Sequence, residues 1–228
     1  MARLATREFG GRSRDLAPSE GHTAERLLLS AARLFWQNGY SATSVRELAA
    51  HLGIQKASLY HHIESKEDLL YKLSVASLKD IQTQARAALE AEGDPLLRLG
   101  ALILAHVNSM SEEREMHATM LTELRSLSPK HRRDVISRRD AYEQLVESIL
   151  KDCQEAGLIR ADISSSLLAR CLLNLLNWTI FWFDPDGEMA PHELASVFDS
   201  IFLRGILPSH FGEAGPLKTV DIRTLKPE

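Results

Sequence analysis

The stretch TSVRELAAHLGIQKASLYHHIESKEDLL, residues 43–70, constrains this chain more than any other. Val45, Leu48, Ala49 and Leu52 recur at helical spacing, which gives a short helix one apolar face. Ser44 with Glu47 makes a capping box at its start, hydroxyl and carboxylate each taking one orphan amide. Gly53 permits the tight turn that ends it. Lys56 to His62 then predicts a second helix of about two turns, with Leu59 and Ile63 inward and Lys56, Ala57, Tyr60 and His61 outside. Ser65 with Asp68 is a second capping box, and Leu69, Leu70 and Leu73 open a longer helix.

Such a segment builds little core of its own; what it offers is presentation. A short helix held against a rigid neighbour fits the major groove of DNA, where exposed donors read base edges. The plainer alternative is a helical hairpin inside an all-helical enzyme. Two capping boxes, a turn glycine and a Lys/Tyr/His face in one stretch argue against it.

This stretch and the helix before it resemble the TetR family of bacterial transcription regulators. The resemblance runs through Ala31-Ala32-Arg33-Leu34-Phe35, Gly39-Tyr40, Ser41-Ala42-Thr43-Ser44-Val45, Leu48-Ala49, Gly53, Leu59-Tyr60-His61-His62 and Ser65-Lys66-Glu67-Asp68-Leu69-Leu70. Two positions depart from the family pattern: Gln55 replaces a capping Ser or Thr, and Ile63 replaces Phe. The resemblance implies an all-α fold of nine helices, a DNA-reading unit of three helices and a helical body for ligand binding and dimerisation. It also implies DNA contact by Thr43, Ser44, Lys56, Ala57, Tyr60, His61, His62 and Lys66. Thr43 and Ser44 would meet phosphate at a helix N-terminus, Lys56, Tyr60 and His61 would reach base edges or nearby backbone, and His62 and Lys66 would hold phosphates.

The charge distribution agrees. The whole chain carries −4, but residues 1–66 carry +3 and residues 67–228 carry −7. A basic end on an acidic body orients a protein on a polyanion. Cys153 and Cys171 make neither metal spacing nor a disulfide framework, and both read as small core residues. The polar N-terminus lacks an apolar signal core, and the run Leu172–Phe183, broken by Asn174, Asn177 and Thr179, is too short for a membrane span. A cytoplasmic protein with no membrane partner is expected.

Four segments follow: a flexible basic arm over 1–20 with Arg3, Arg7, Arg12 and Arg14, the DNA-binding unit over 21–66, the body over 67–207 and a flexible tail over 208–228. Helices are expected over 23–38, 66–92, 95–109, 113–127, 129–156, 163–183 (capped by Asp162) and 191–206, besides the two short ones.

In helix 163–183, Arg170, Asn174, Trp178 and Phe181 fall on one stripe, which suggests a ligand pocket with aromatic walls and fixed polar groups. The plainer reading makes the aromatics core and pairs Arg170 with a buried carboxylate such as Glu123. Leu168, Leu172, Leu175, Leu176 and Thr179, with Leu194, Val197, Phe198, Ile201 and Phe202 of the last helix, suggest a four-helix homodimer interface. His106 and His117 lack ligand spacing and no paired carboxylate completes them, so no metal is expected. No cofactor is expected either.

Asn177-Trp178 through Asp184-Pro185-Asp186-Gly187, then Glu193-Leu194-Ala195 and Gly205, resemble the TetR branch that answers to acyl-coenzyme A thioesters of fatty-acid, steroid or phenylacetate breakdown. That resemblance implies a repressor released from a palindromic operator by an acyl-CoA. A drug-efflux regulator sensing aromatic or cationic compounds and a ligand-independent DNA-binding protein are the alternatives. No enzyme motif is present; Ser58 near His61 and His62 mimics nucleophile and base but has no oxyanion site.

Overall fold

The computed structural model describes the backbone of residues 20–90 and 93–206. The arm expected over 1–20 and the tail expected over 208–228 lie, Glu20 apart, outside the described residues. Those residues form nine α-helices and no strand: α1 (Glu20–Asn38), α2 (Val45–Leu52), α3 (Lys56–Leu59), α4 (Lys66–Glu90), α5 (Pro95–Glu112), α6 (Arg114–Thr122), α7 (Pro129–Glu155), α8 (Ser165–Asn177) and α9 (Pro191–Ile206). Two short 3-10 turns, Leu124–Ser126 and Trp178–Phe181, extend α6 and α8.

Two cores hold the chain. The N-terminal one gathers Leu27, Ala31 and Phe35 of α1, Leu48 of α2, Leu59, Ile63 and Leu69, Leu70 and Leu73 of α4. It continues into the body through Met116, Met120 and Val135, so α4, α6 and α7 belong partly to it. The second core packs α5, α7, α8 and α9 around Leu99, Leu102, Val146, Leu172 and Phe198.

The capping box of α2 forms as expected: the Ser44 hydroxyl accepts from the Glu47 amide, and the Glu47 carboxylate accepts from the Ser44 amide at 2.6 Å. Gly53 ends α2 at φ 68°, a left-handed conformation costly for other residues. The second box is incomplete. Ser65 accepts from the Asp68 amide, but the Asp68 carboxylate takes the Glu64 amide instead of that of Ser65.

Several boundaries differ from the sequence reading. The helix expected over Lys56–His62 is only Lys56–Leu59, and Gln55 makes no side-chain cap. The helix expected to end near Ser109 runs to Glu112, and the one expected over 113–127 ends at Thr122. The cap of α8 is Ser164, whose hydroxyl accepts the Leu167 amide; Asp162 pairs with Arg160. Helix α8 stops at Asn177 and tightens into the 3-10 turn, where Thr179 donates back to the Leu176 carbonyl. The expected single helix over 163–183 therefore does not exist, and its stripe of four residues is broken between Asn174 and Trp178.

Candidate nucleic-acid interface and ligand cavity

Lys56, Ala57, Tyr60 and His61 are exposed on and just after α3, while Leu59 and Ile63 anchor it from beneath. The Lys56 ammonium lies 5.8 Å from the Tyr60 ring centre, so one cation and one aromatic share this face. Ser44 is exposed at the N-terminus of α2, where free amides favour a phosphate.

Two of the expected DNA contacts sit differently. Thr43 is buried, and its hydroxyl donates to the carbonyls of Leu34 and Gly39 at 3.2 and 2.9 Å. Its side chain holds the end of α1 against the start of α2 and has no free surface for phosphate. Lys66 is half-buried, with Nζ donating to the Tyr40 and Thr43 carbonyls at 2.8 and 2.9 Å and lying over the Tyr40 ring. Its charge still faces the DNA unit, but its hydrogen bonds belong to the fold. His62 is half-buried, and its carbonyl accepts from Lys72.

Helix α4 joins this unit to the body. Its Glu67 accepts from the Ser128 amide at 2.7 Å and contacts His131 Nδ1 at 3.0 Å. Burial opposes the charge, but those two partners still hold the Glu67 carboxyl below its ordinary value. Tyr71 stacks on His131 at 3.9 Å and donates to Asp134 at 2.9 Å. The first turns of α4 are thereby fastened to the start of α7.

Between α4, α6, α7 and α8 lies a cavity of about 410 Å³. Leu78, Ile81, Met110, Met120, Leu121, Ile136 and Leu173 give it apolar walls. His117, Tyr142, Asn174 and Asn177 supply neutral polar groups, and Arg139, Asp140, Glu143 and Arg170 supply charges. An apolar space with a few fixed polar groups is the usual form of a small-molecule site.

Arg170 and Asn174 stand on this wall, but Trp178 and Phe181 do not. Their rings lie 4.6 Å apart, tilted by 52°, and Trp36 of α1 lies 6.1 Å from Phe181. Both are exposed in the single chain, Trp178 at 64%. The break at Asn177 turns them away from the cavity. Arg170 pairs with Glu143 of α7 at 2.8 Å and not with Glu123, which holds Ser126.

Sequence reasoning missed a buried polar layer. His117 is fully buried, Ser77 Oγ lies 2.7 Å from its Nδ1 and Ser109 Oγ 2.9 Å from its Nε2. Ser109 donates in turn to Asp80 at 2.9 Å. With that proton committed, His117 Nε2–H donates to Ser109 and Nδ1 accepts from Ser77, so the ring is neutral. Burial lowers its pKa to about 4. The expectation that no paired carboxylate accompanies the histidines is also corrected. Ligand atoms of Asp80, Glu113 and His117 lie within 4.8 Å of one another. Asp80 and Glu113 are 37 and 4 residues from His117 in sequence, and only the packing of α4 on α6 unites them.

His106 is buried beside Tyr142, with Nδ1 2.8 Å from the phenol oxygen and Nε2 unpartnered among the described residues. Burial first, and His117 second, drive its pKa to about 3. Below pH 6.5 the unfolded chain binds a proton that the folded chain refuses, so stability present at neutral pH falls with acid. Between pH 6.5 and 5 this one group costs about 2 kcal/mol. Urea unfolding at pH 7 and 5, at one chain concentration, is expected to show this loss in wild type. The loss should shrink by that amount in His106→Gln; an equal acid loss in both would contradict it.

The comparisons with known proteins now decide the family. Residues 27–73 match the description "Bacterial regulatory proteins, tetR family", and residues 92–206 match "Tetracyclin repressor-like, C-terminal domain". The chain belongs to the TetR family of transcriptional regulators.

The TetR-family regulator PfmR from Thermus thermophilus is 40% identical, with a TM-score of 0.74 over 78% of this chain and 97% of that one. The transcriptional repressor KstR2 of Mycobacterium tuberculosis is 27% identical over 79% of this chain and 90% of its own length. The structure of that ketosteroid regulator superposes with a TM-score of 0.76, at 26% identity over 82% of this chain and 95% of that one. AibR, crystallised with isovaleryl coenzyme A and operator DNA, is 27% identical with a TM-score of 0.71, over 78% of this chain and 96% of that one. Among the described residues no helix is long and apolar enough to cross a membrane.

Proposed function

We propose that this TetR-family regulator is a dimeric repressor released from its operator by an acyl-CoA thioester. The observation that carries the reading is the cavity, which borders Leu78 and Ile81 of α4 and also holds Arg139 and Arg170. A volume of about 410 Å³ suits an acyl group, not a whole coenzyme. The nucleotide part would extend past the two arginines, whose guanidinium groups suit phosphate. AibR, the relative bound to isovaleryl coenzyme A, supports the same chemistry. The acyl group is now assigned to the Leu78, Ile81, Met120 and Leu173 walls instead of Trp178 and Phe181.

Release follows from differential affinity. A thioester that prefers the non-binding arrangement a hundredfold supplies about 2.7 kcal/mol against operator binding. Helix α4 touches the cavity at its middle, through Leu78 and Ile81, and packs against α1–α3 through its first turns, so a shift there changes the spacing of the two reading helices.

One observation favours a second reading. Asp140 and Glu143 share the cavity wall with the arginines, and carboxylates favour cationic aromatic compounds such as those sensed by drug-efflux regulators. The Arg170–Glu143 pair cancels one charge of each sign and leaves Arg139 beside Asp140, so the likeness to AibR is what favours the thioester.

Ile136 lines the cavity yet is 40% exposed, so a larger side chain there fills the space without breaking the core. Ile136→Trp is expected to hold operator DNA as wild type does and to lose at least about tenfold in acyl-CoA affinity, a cost of some 1.4 kcal/mol. Calorimetry with acyl-CoAs, the free acids and cationic dyes is the test. Wild type binding dyes alone, or free acids as tightly as thioesters, would replace the thioester reading with the drug-sensing one.

A further inference from the structure

The Asp80–Glu113–His117 cluster lies where the DNA-binding unit meets the body. Asp80 is on α4, Glu113 links α5 to α6, and His117 is on α6, which packs against α1. One imidazole and two carboxylates from three segments converge with their ligand atoms within 4.8 Å of one another. Ligands around a tetrahedral ion at about 2.1 Å stand about 3.4 Å apart. Small rotations of the two half-buried carboxylates would close that difference.

The local charge is one-sided. Asp80, Glu25 and Glu112 all stand near the half-buried Glu113 carboxylate. The adjacent cation is committed elsewhere: Arg114 donates through Nε and Nη2 to the Ile180 carbonyl at 3.0 and 2.8 Å. Neither Asp80 nor Glu113 enters an ion pair among the described residues. Both hydrogen bonds to Asp80, from Ser109 and Gln84, fall on Oδ2.

We propose that Asp80, Glu113 and His117 form a binding site for a divalent transition-metal ion of the zinc and cobalt class. The donor set of imidazole nitrogen and carboxylate oxygens suits such ions, with water completing the coordination. Binding needs only a tautomer change in the ring. The proton leaves Nε2 and one enters Nδ1, which then donates to Ser77 Oγ, and the freed Nε2 lone pair meets the metal as Ser109 turns aside. The ring is neutral before and after. Ser77 then plays the part of the partner that orients a metal-bound histidine. An ion there ties α4, which carries the DNA-reading unit, to the α5–α6 corner of the body.

The test uses the full chain, stripped with chelator and titrated with Co²⁺, whose visible absorption reports low-coordinate nitrogen and oxygen ligation. Wild type is expected to bind one Co²⁺ per chain with a coloured spectrum and a raised melting temperature, and Zn²⁺ should bleach the colour. Glu113→Gln and Asp80→Asn alter half-buried side chains, and metal-free circular dichroism and melting confirm that each variant folds. Each should weaken Co²⁺ binding by more than the roughly 10- to 100-fold that loss of a ligand's hydrogen-bond partner costs. No binding at 100 μM metal, taken as roughly the weakest affinity a specific site would show, overturns the proposal. So does binding that survives in both folded variants, which would place the metal outside this cluster.

Discussion

Lys56→Ala with Tyr60→Ala is expected to abolish operator retardation while the protein keeps its helical content and its melting temperature. Both side chains are exposed, Tyr60 at 45%, and neither contributes to the core beneath α3, which rests on Leu59 and Ile63. Each contact is worth roughly 1–3 kcal/mol in a bound complex and occurs twice in a dimer. The combined loss exceeds about a hundredfold in affinity. The two residues separate by salt. Removing Lys56 alone should weaken all sequences alike and flatten the salt dependence by about one phosphate charge per chain. Removing Tyr60 alone should change affinity without that slope. Thr43→Val gives the contrast: a buried hydroxyl bonded to Leu34 and Gly39 is lost, so stability falls by about 1 kcal/mol with little direct effect on DNA contact. Unchanged operator affinity in the folded double variant would remove α3 from the interface.

These positions also show what the sequence carried. The DNA-reading unit was legible because its signals are local: a capping box, a left-handed glycine and helical spacing all act within a few residues. The all-α fold was legible for the same reason, since each long helix has its own apolar period. What failed depended on distance. The stripe of Arg170, Asn174, Trp178 and Phe181 assumed a continuous helix, and the tightening at Asn177 rotated its second half away from the cavity. Cys171 was read as core and is exposed, because α8 presents Leu167 and Cys171 outward while Leu168 and Leu172 point inward. The partner of Arg170 could not be read at all: Glu143 lies on α7, and no local pattern distinguishes it from Glu123. The His117 layer and its carboxylates are likewise visible only once α4, α5 and α6 are packed.

The same correction moves the expected dimer face, and with it the second large effect. Leu168, Leu172, Leu176, Leu194, Phe198 and Phe202, assigned from sequence to the interface, are buried in the single chain's own core. The large apolar side chains exposed on α8 and α9 are Leu167, Val197 and Ile201, at 52, 42 and 60%, and Trp182, in the segment that links the two helices, is exposed at 53%. An apolar face of this kind on two adjacent helices is what a second copy covers in a four-helix interface. Leu172→Glu would put a charge into the closed core and unfold the chain, so it says nothing about assembly. Leu167→Glu with Ile201→Glu places its charges on open surface, where the isolated chain tolerates them. In a dimer the same four charges would be buried without partners, at a cost of roughly several kcal/mol. The expected result by sedimentation is a folded monomer at micromolar concentration, against a wild-type dimer. Operator binding should disappear with the dimer, since one half-site supplies too few contacts alone. Leu97→Glu, at an apolar position 70% exposed on α5, is the control and should leave assembly and operator binding intact. A monomeric wild type, or a double variant that still dimerises, would place the contact between copies elsewhere on the chain.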